Sequence, residues 1–386
     1  MSTESLEEAA SLERPSREQP ASGEAPFPDM VWIPGGTYWM GSDTHYPEEK
    51  PAHQATVTGF WMDTHLVTNA RFARFVEATG YVTVAERPLE LKDYPGVDPA
   101  LLVPGALVFH QPERRVSLND FSQWWAYVPG ACWRHPEGLS STWEGRARHP
   151  VVHVAYEDVE AYSTWAGKEL PTEAEWERAA RGGLDRKSYA WGDLLSPEGR
   201  MMANTWQGQF PMHNLLEDGY AGTSPVGAFP ANGYCLFDII GNVWEWTTDW
   251  YQDRHQGNRG KACCIPVNPR GPARPEGTED PRTPQVMIPR RVLKGGSHLC
   301  APNYCQRYRP AARSPQAVDT GASHIGFRCI VRRKSVTERV SENLSRKSVR
   351  EFEQRGQVRP EEGRRREESG PSNHPGATGP RLLGTR

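Results

Sequence analysis

The chain has 386 residues, with 45 Lys and Arg against 48 Asp and Glu and a formal net charge of −3. That balance excludes a general nucleic-acid binder, which needs a basic face. No apolar run reaches the roughly 18 residues of a membrane span, and residues 1–20 lack the charged–apolar–small order of a signal peptide, so no membrane partner and a cytoplasmic location are expected.

Residues 1–27 are rich in Ser, Glu, Pro and Ala, and residues 334–386 in Arg, Glu, Ser, Gly and Pro. Neither stretch can bury enough apolar surface to offset the entropy of ordering it. They read as a disordered N-terminal extension and a disordered charged C-terminal tail. Residues 28–333 are aromatic-rich without a linker and read as one domain.

Met30-Val31-Trp32-Ile33, then Pro34-Gly35-Gly36, then Thr37-Tyr38-Trp39-Met40 predict a hairpin. Ala55-Thr56-Val57-Thr58 and Phe60-Trp61-Met62-Asp63 predict a second strand pair. Thr68 is placed as an N-cap, with Phe72, Phe75 and Val76 on one helical face and Gly80 as the stop. Residues 82–122 offer no clear element and read as a surface excursion. A second helix is expected over 157–166 and a third from Thr172, where Glu175 completes a capping box and Gly182 ends the run. The remainder reads as short strands and long loops.

Seven cysteines stand at 132, 235, 263, 264, 300, 305 and 329. An odd number at irregular spacing is a poor disulfide framework and suits a reducing compartment. Cys263 and Cys264 sit in a Pro/Gly/Arg-rich loop and receive no role. His149 and His153 read as packed, hydrogen-bonded histidines. No phosphate loop, nucleophile elbow or His-Glu-x-x-His is present.

The chemistry concentrates in Lys294-Gly295-Gly296-Ser297-His298-Leu299-Cys300-Ala301-Pro302-Asn303-Tyr304-Cys305. Two thiolates at short range can bind a soft metal or cycle through a disulfide. On spacing alone a structural disulfide or half of a zinc site stays open.

The residues around the pair resemble the catalytic segment of formylglycine-generating enzymes, the sulfatase-modifying oxidases. Further matching blocks are Trp133-Arg134-His135-Pro136-Glu137-Gly138, Leu170-Pro171-Thr172-Glu173-Ala174-Glu175-Trp176-Glu177, Ala203-Asn204-Thr205-Trp206-Gln207-Gly208 and Gly241-Asn242-Val243-Trp244-Glu245-Trp246. The resemblance covers residues 30–331. It implies an α+β fold, an enlarged and irregular C-type-lectin-like domain with low regular secondary structure.

The implied activity is an oxidoreductase acting on a protein thiol with oxygen as acceptor. It converts the cysteine of a Cys-x-Pro-x-Arg segment in an unfolded sulfatase to Cα-formylglycine, with O2 as co-substrate. Cys300 and Cys305 are the implied Cu(I) ligands, since two soft thiolates suit that ion. Ser297 and Trp244 are carried over as the lining where oxygen and the substrate thiol meet. The resemblance also implies two structural Ca2+ sites. One uses Asn204 and Asp218 with carbonyls of Thr205 and Tyr220; the other uses Asp238 and Glu245 with carbonyls of Gly241 and Val243. On spacing alone those residues read as turn and helix caps.

The chain departs from the secreted members at Ser163 and Pro310, where those have disulfide cysteines, which leaves Cys329 without its implied partner. His324 stands where they have Asn, and Asp238 replaces another Asn. A monomer is expected. Two alternatives remain: a related non-haem iron sulfoxide synthase, which needs a histidine ligand set, and a non-catalytic lectin-like binding module.

Overall fold

The computed structural model describes residues 24–89, 91–93, 98, 102–255 and 265–333. The expected tails therefore lie largely outside the described residues, as do Cys263 and Cys264.

The first four strands are β1 (Met30–Ile33), β2 (Gly36–Met40), β3 (His53–Val57) and β4 (Phe60–Asp63). They do not form the two local hairpins expected from sequence. β1 pairs with β4, Met30 opposite Asp63, and β2 pairs with β3, Gly36 opposite Val57. One hairpin is thus nested inside another, and both legs bend at a glycine. A Cβ on Gly35 would lie 2.6 Å from the Gly59 nitrogen, and one on Gly59 would lie 2.4 Å from the Trp32 ring. The Pro-Gly-Gly run is a bend that passes the chain to another sheet, and its turn chemistry alone does not distinguish the two uses.

The three expected helices are present. In α1 (Asn69–Thr79) the Thr68 hydroxyl accepts the Arg71 N–H at 3.3 Å, and Gly80 closes the helix at φ +67°. In α2 (Tyr156–Trp165), one residue earlier than predicted, Asp158 caps the start by accepting the Ala155 N–H at 2.8 Å. In α3 (Glu173–Ala180) Thr172 and Glu175 exchange their capping bonds at 3.1 and 2.8 Å.

The excursion over 82–122 is not featureless. It contains β5 (Gly105–Phe109), which pairs with β6 (Trp125–Pro129). The strand run is short and its partner lies beyond the polar loop 110–124, so the pattern carries little local signal.

The remaining strands are β7 (Gly208–Gln209), β8 (His213–Asn214), β9 (Trp244–Trp250), β10 (Arg290–Lys294), β11 (Arg313–Ala317), β12 (Ile325–Gly326) and β13 (Ile330–Arg332). The two larger sheets have the orders β1-β4-β13 and β11-β10-β9-β12, with β12 parallel to β9, beside the two-stranded pairs β2-β3, β5-β6 and β7-β8. Short strands in small sheets, few helices and long loops make this the α+β, enlarged C-type-lectin-like architecture expected from the sequence. Aromatic side chains hold it together. One core cluster joins Phe72, Phe75, Trp133, Tyr162, Trp244, Trp246 and Phe327, and includes Cys300. Among the described residues no helix is long and apolar enough to cross a membrane.

A buried ionic group ties α3 to the end of β10. Lys294 Nζ lies 3.1 Å from Glu177 and 3.5 Å from Glu173. Arg181 reaches Glu177 at 2.7 Å, and Arg313 reaches Glu173 at 2.8 Å. Burial opposes ionisation of Glu177, but Lys294 and Arg181 outweigh it and hold the carboxyl down at about 2. A carboxyl depressed in the folded state adds stability above its unfolded value and loses it as pH falls through the folded value. Urea midpoints should therefore fall between about pH 4.5 and pH 2, by an amount worth on the order of 3 kcal/mol from this group. Glu177→Gln should be less stable at pH 7 and lack that part of the acid slope. An unchanged slope in the variant would remove Glu177 from the account.

Candidate active site

β10 delivers the chain to Gly295 and Gly296, at φ +90° and +71°. A Cβ on Gly295 would meet the Trp176 ring at 3.0 Å, and one on Gly296 the Tyr308 nitrogen at 2.8 Å. Only glycine lets the strand turn this tightly against both. Beyond the turn, the Cys300 N–H donates to Ser297 O at 2.9 Å and the Cys305 N–H to Ala301 O at 2.9 Å. These two bonds coil the segment and return the second sulfur to the first.

The result is Cys300 Sγ and Cys305 Sγ at 3.2 Å, a hydrogen-bonded pair of free thiols. Cys300 is buried at 2% exposure and its sulfur also faces the Ser297 N–H at 3.4 Å. Cys305 is half-buried, with Arg307 Nη1 at 3.9 Å from its sulfur. The hydrogen bond from Cys300 is the main cause holding the Cys305 thiol down at about 6, and Arg307 adds to it against the opposing effect of burial. Burial and the neighbouring Cys305 push Cys300 well up. The two thiols thus share their protons unequally, with the thiolate favoured at Cys305.

Ser297 is fully buried, and its hydroxyl accepts the Leu299 N–H at 3.2 Å. Trp244 opens β9, donates its backbone N–H to His324 O at 2.8 Å, and lies in the apolar cluster that contains Cys300 and Tyr308. The structure thus brings Cys300, Cys305 and Ser297 into one turn and places Trp244 in the same packed cluster. The His324 ring is buried against Trp125, with centroids 4.7 Å apart. Burial and the nearby His298 and His153 push it down to about 3, so it is a neutral polar ring. His153 is likewise buried, its Nε2 2.7 Å from Pro136 O, and His149 contacts Thr223 at 2.9 Å.

Sequence reading missed the aromatic wall beside the pair. Tyr304 stacks on Phe210 at 4.6 Å and meets Trp124 edge-on at 5.6 Å. Next to it a 1120 Å³ cavity is bounded by the loop 111–118, by Phe210 and by Asn303. The only local signal was Tyr304 itself, adjacent to Cys305. A separate 680 Å³ cavity around Tyr156, Trp250 and Arg291 contains none of these residues.

The two oxygen-rich loops are also assembled. Asp218 accepts the N–H groups of Tyr220 at 3.0 Å and Thr205 at 3.1 Å. The Gln207 amide donates to both Thr205 O and Asp218 Oδ2. Asn204 donates to Gly222 O at 2.9 Å while its buried Oδ1 has no partner. In the second loop Asp238 Oδ2 accepts the Gly227 N–H at 2.7 Å and Oδ1 is buried without a partner. Burial pushes that carboxyl up to about 6. Gly241 donates its N–H to Gly295 O at 2.9 Å, and Val243 is buried. Glu245 is committed elsewhere: both its oxygens accept from Arg328, at 2.8 and 2.9 Å, and Trp176 donates to it at 2.9 Å.

A family model described as the sulfatase-modifying factor enzyme 1-like domain matches residues 16–333. The chain is 57% identical over 303 residues to a formylglycine-generating enzyme of Mycobacterium tuberculosis, covering 78% of this chain and 97% of that one. It is 47% identical over 304 residues to a formylglycine-generating enzyme of Thermomonospora curvata, covering 78% and 92%. Among solved structures, PvdO from Pseudomonas aeruginosa superposes with a TM-score of 0.52 at 23% identity over 79% of this chain and 94% of that one, which shows a shared fold. The match spans nearly all described residues and both sulfurs of the turn, and the chain belongs to the formylglycine-generating, sulfatase-modifying enzyme family.

Proposed function

We propose that this chain oxidises the cysteine of a Cys-x-Pro-x-Arg segment in an unfolded sulfatase to Cα-formylglycine, with Cu(I) held by Cys300 and Cys305. The observation that carries the reading is the pair of free thiols at 3.2 Å in a turn shared with a buried serine. The donor set fits the ion: two soft sulfurs in an apolar cluster. Bound there, copper supplies a soft site for the substrate thiolate and electrons for O2. Overall, thiol plus O2, two electrons and two protons give aldehyde, hydrogen sulfide and water, with the extra electrons from a thiol reductant.

The residues present do the positioning. Ser297 offers a hydroxyl proton to a small polar species, because its oxygen already accepts from Leu299. Trp244 and Tyr308 keep the buried side of the pair dry. Tyr304, 38% exposed, and the cavity beside it receive an extended peptide. Among the described residues no group of three or more His, Cys, Asp or Glu is placed to hold a metal, which disfavours the iron sulfoxide-synthase alternative. The five cysteines among the described residues are free thiols, which supports a reducing, cytoplasmic setting. Reconstitution with Cu(I) under nitrogen should leave about one copper per chain. A chain that retains none after desalting would sink the copper assignment.

Calcium belongs to the same reading. The unpartnered oxygens of Asn204 and Asp238, and the Gln207 amide wedged between two oxygens, support cations in these loops. A calcium chelator should lower the melting temperature by about 5 °C or more, with a smaller effect on initial rate at moderate temperature. Asp218→Ala should reproduce the stability loss. An unchanged melting temperature would make these groups ordinary loop caps.

A further inference from the structure

The loop 42–50 lies far before the thiol pair in sequence, yet the side chains of Tyr46, Glu48 and Glu49 reach the segment just after it. Tyr46 Oη accepts the Gln306 N–H at 3.0 Å. Glu49 forms a buried two-pronged pair with Arg309, at 2.9 and 2.5 Å. Glu48 Oε1 accepts from Arg307 Nε at 3.2 Å and from Nη2 at 2.5 Å. The Arg307 guanidinium lies 3.8 Å from the Tyr46 ring centroid. With Nε and Nη2 occupied and one face covered, the remaining edge presents Nη1 to Cys305 Sγ at 3.9 Å.

We infer that Arg307, aimed by Glu48 and Tyr46, is a positioning residue that supplies the counter-charge for the sulfur site. The inference rests on the reading of the thiol pair as a Cu(I) site. Two thiolates and one Cu(I) carry a net charge of −1, and a substrate thiolate makes it −2. That anion accumulates in a packed cluster where charge is poorly screened. Arg307 and Glu48 together are neutral, so what reaches the sulfur is an oriented dipole with its positive end inward. Orientation therefore matters as much as charge, as with the outer partners of metal ligands generally. A guanidinium suits this task because it can bind a carboxylate through one edge and keep other N–H groups for the sulfur.

The test is anaerobic competition for Cu(I) between the full chain and a chromophoric Cu(I) chelator, with melting temperature read alongside. Arg307→Met should weaken Cu(I) binding by about 10- to 100-fold and raise KM for a Cys-x-Pro-x-Arg peptide. Arg307→Lys should recover part of the affinity, since it keeps the charge and loses the fork. If Arg307→Met does not fold, Arg307→Gln, which removes the charge and keeps an N–H donor, should show the same loss. Native-like Cu(I) affinity in the uncharged variants, or equal losses in Lys and Met, overturns the inference. A native chain that takes no Cu(I) overturns the copper reading itself, a separate result.

Discussion

Replacing either sulfur of the turn with oxygen is expected to abolish turnover. Cys300→Ser and Cys305→Ser should each reduce peptide conversion by at least about a thousandfold, because a single thiolate with a hard hydroxyl neighbour does not hold Cu(I) tightly. The fold should survive. Cys305 is half-buried and makes its structural bond through the backbone, from its N–H to Ala301 O at 2.9 Å. Its replacement should cost less than about 1 kcal/mol, whereas buried Cys300 should cost about 1–2 kcal/mol. Conversion is measured by peptide mass and stability by urea unfolding. Near-native conversion by either folded variant contradicts the ligand assignment.

The second large effect concerns stability. Arg328 and Glu245 are both fully buried and joined by two hydrogen bonds, at 2.8 and 2.9 Å. Arg328 also donates to the carbonyls of Phe237 at 2.9 Å and Asp238 at 3.3 Å, so it links the loop before β9 to the strand itself. Arg328→Met strands a buried carboxylate that retains only the Trp176 N–H at 2.9 Å. The expected loss is about 3–5 kcal/mol, the usual cost of breaking a buried pair by removing one partner. Replacing both residues with methionine should lose less than the single change, because no lone charge stays inside. Urea unfolding of the native chain, the single variants and the double variant gives the coupling. Additive losses would show that the pair does not act as a unit.

That pair also marks the limit of what the sequence discloses. The family resemblance implies Glu245 as a calcium ligand, while spacing alone reads it as a turn or cap residue. In the structure it also accepts from Arg328, 83 residues further on, and nothing local in the sequence identifies that partner. The helices were legible because their caps are local: Thr68, Gly80 and the Thr172–Glu175 box each act within a few residues. The thiol turn was legible for the same reason, since Gly295, Gly296 and Ser297 set its geometry within one short segment. The nested hairpins were not, because alternation in Met30–Ile33 suits a partner at Phe60–Asp63 as well as an adjacent one. Nor was the contact of Glu48 with Arg307, where one more surface-type Glu in a polar loop carries no sign of its destination.

The most direct test of the central claim is to incubate the purified chain with a Cys-x-Pro-x-Arg peptide, Cu(I), a thiol reductant and oxygen, and to weigh the peptide. Conversion of its thiol to an aldehyde lowers the mass by about 18 Da and should require both copper and oxygen. An unchanged peptide mass from folded, copper-loaded protein would contradict the account, as would an equal mass loss after oxygen or copper is removed.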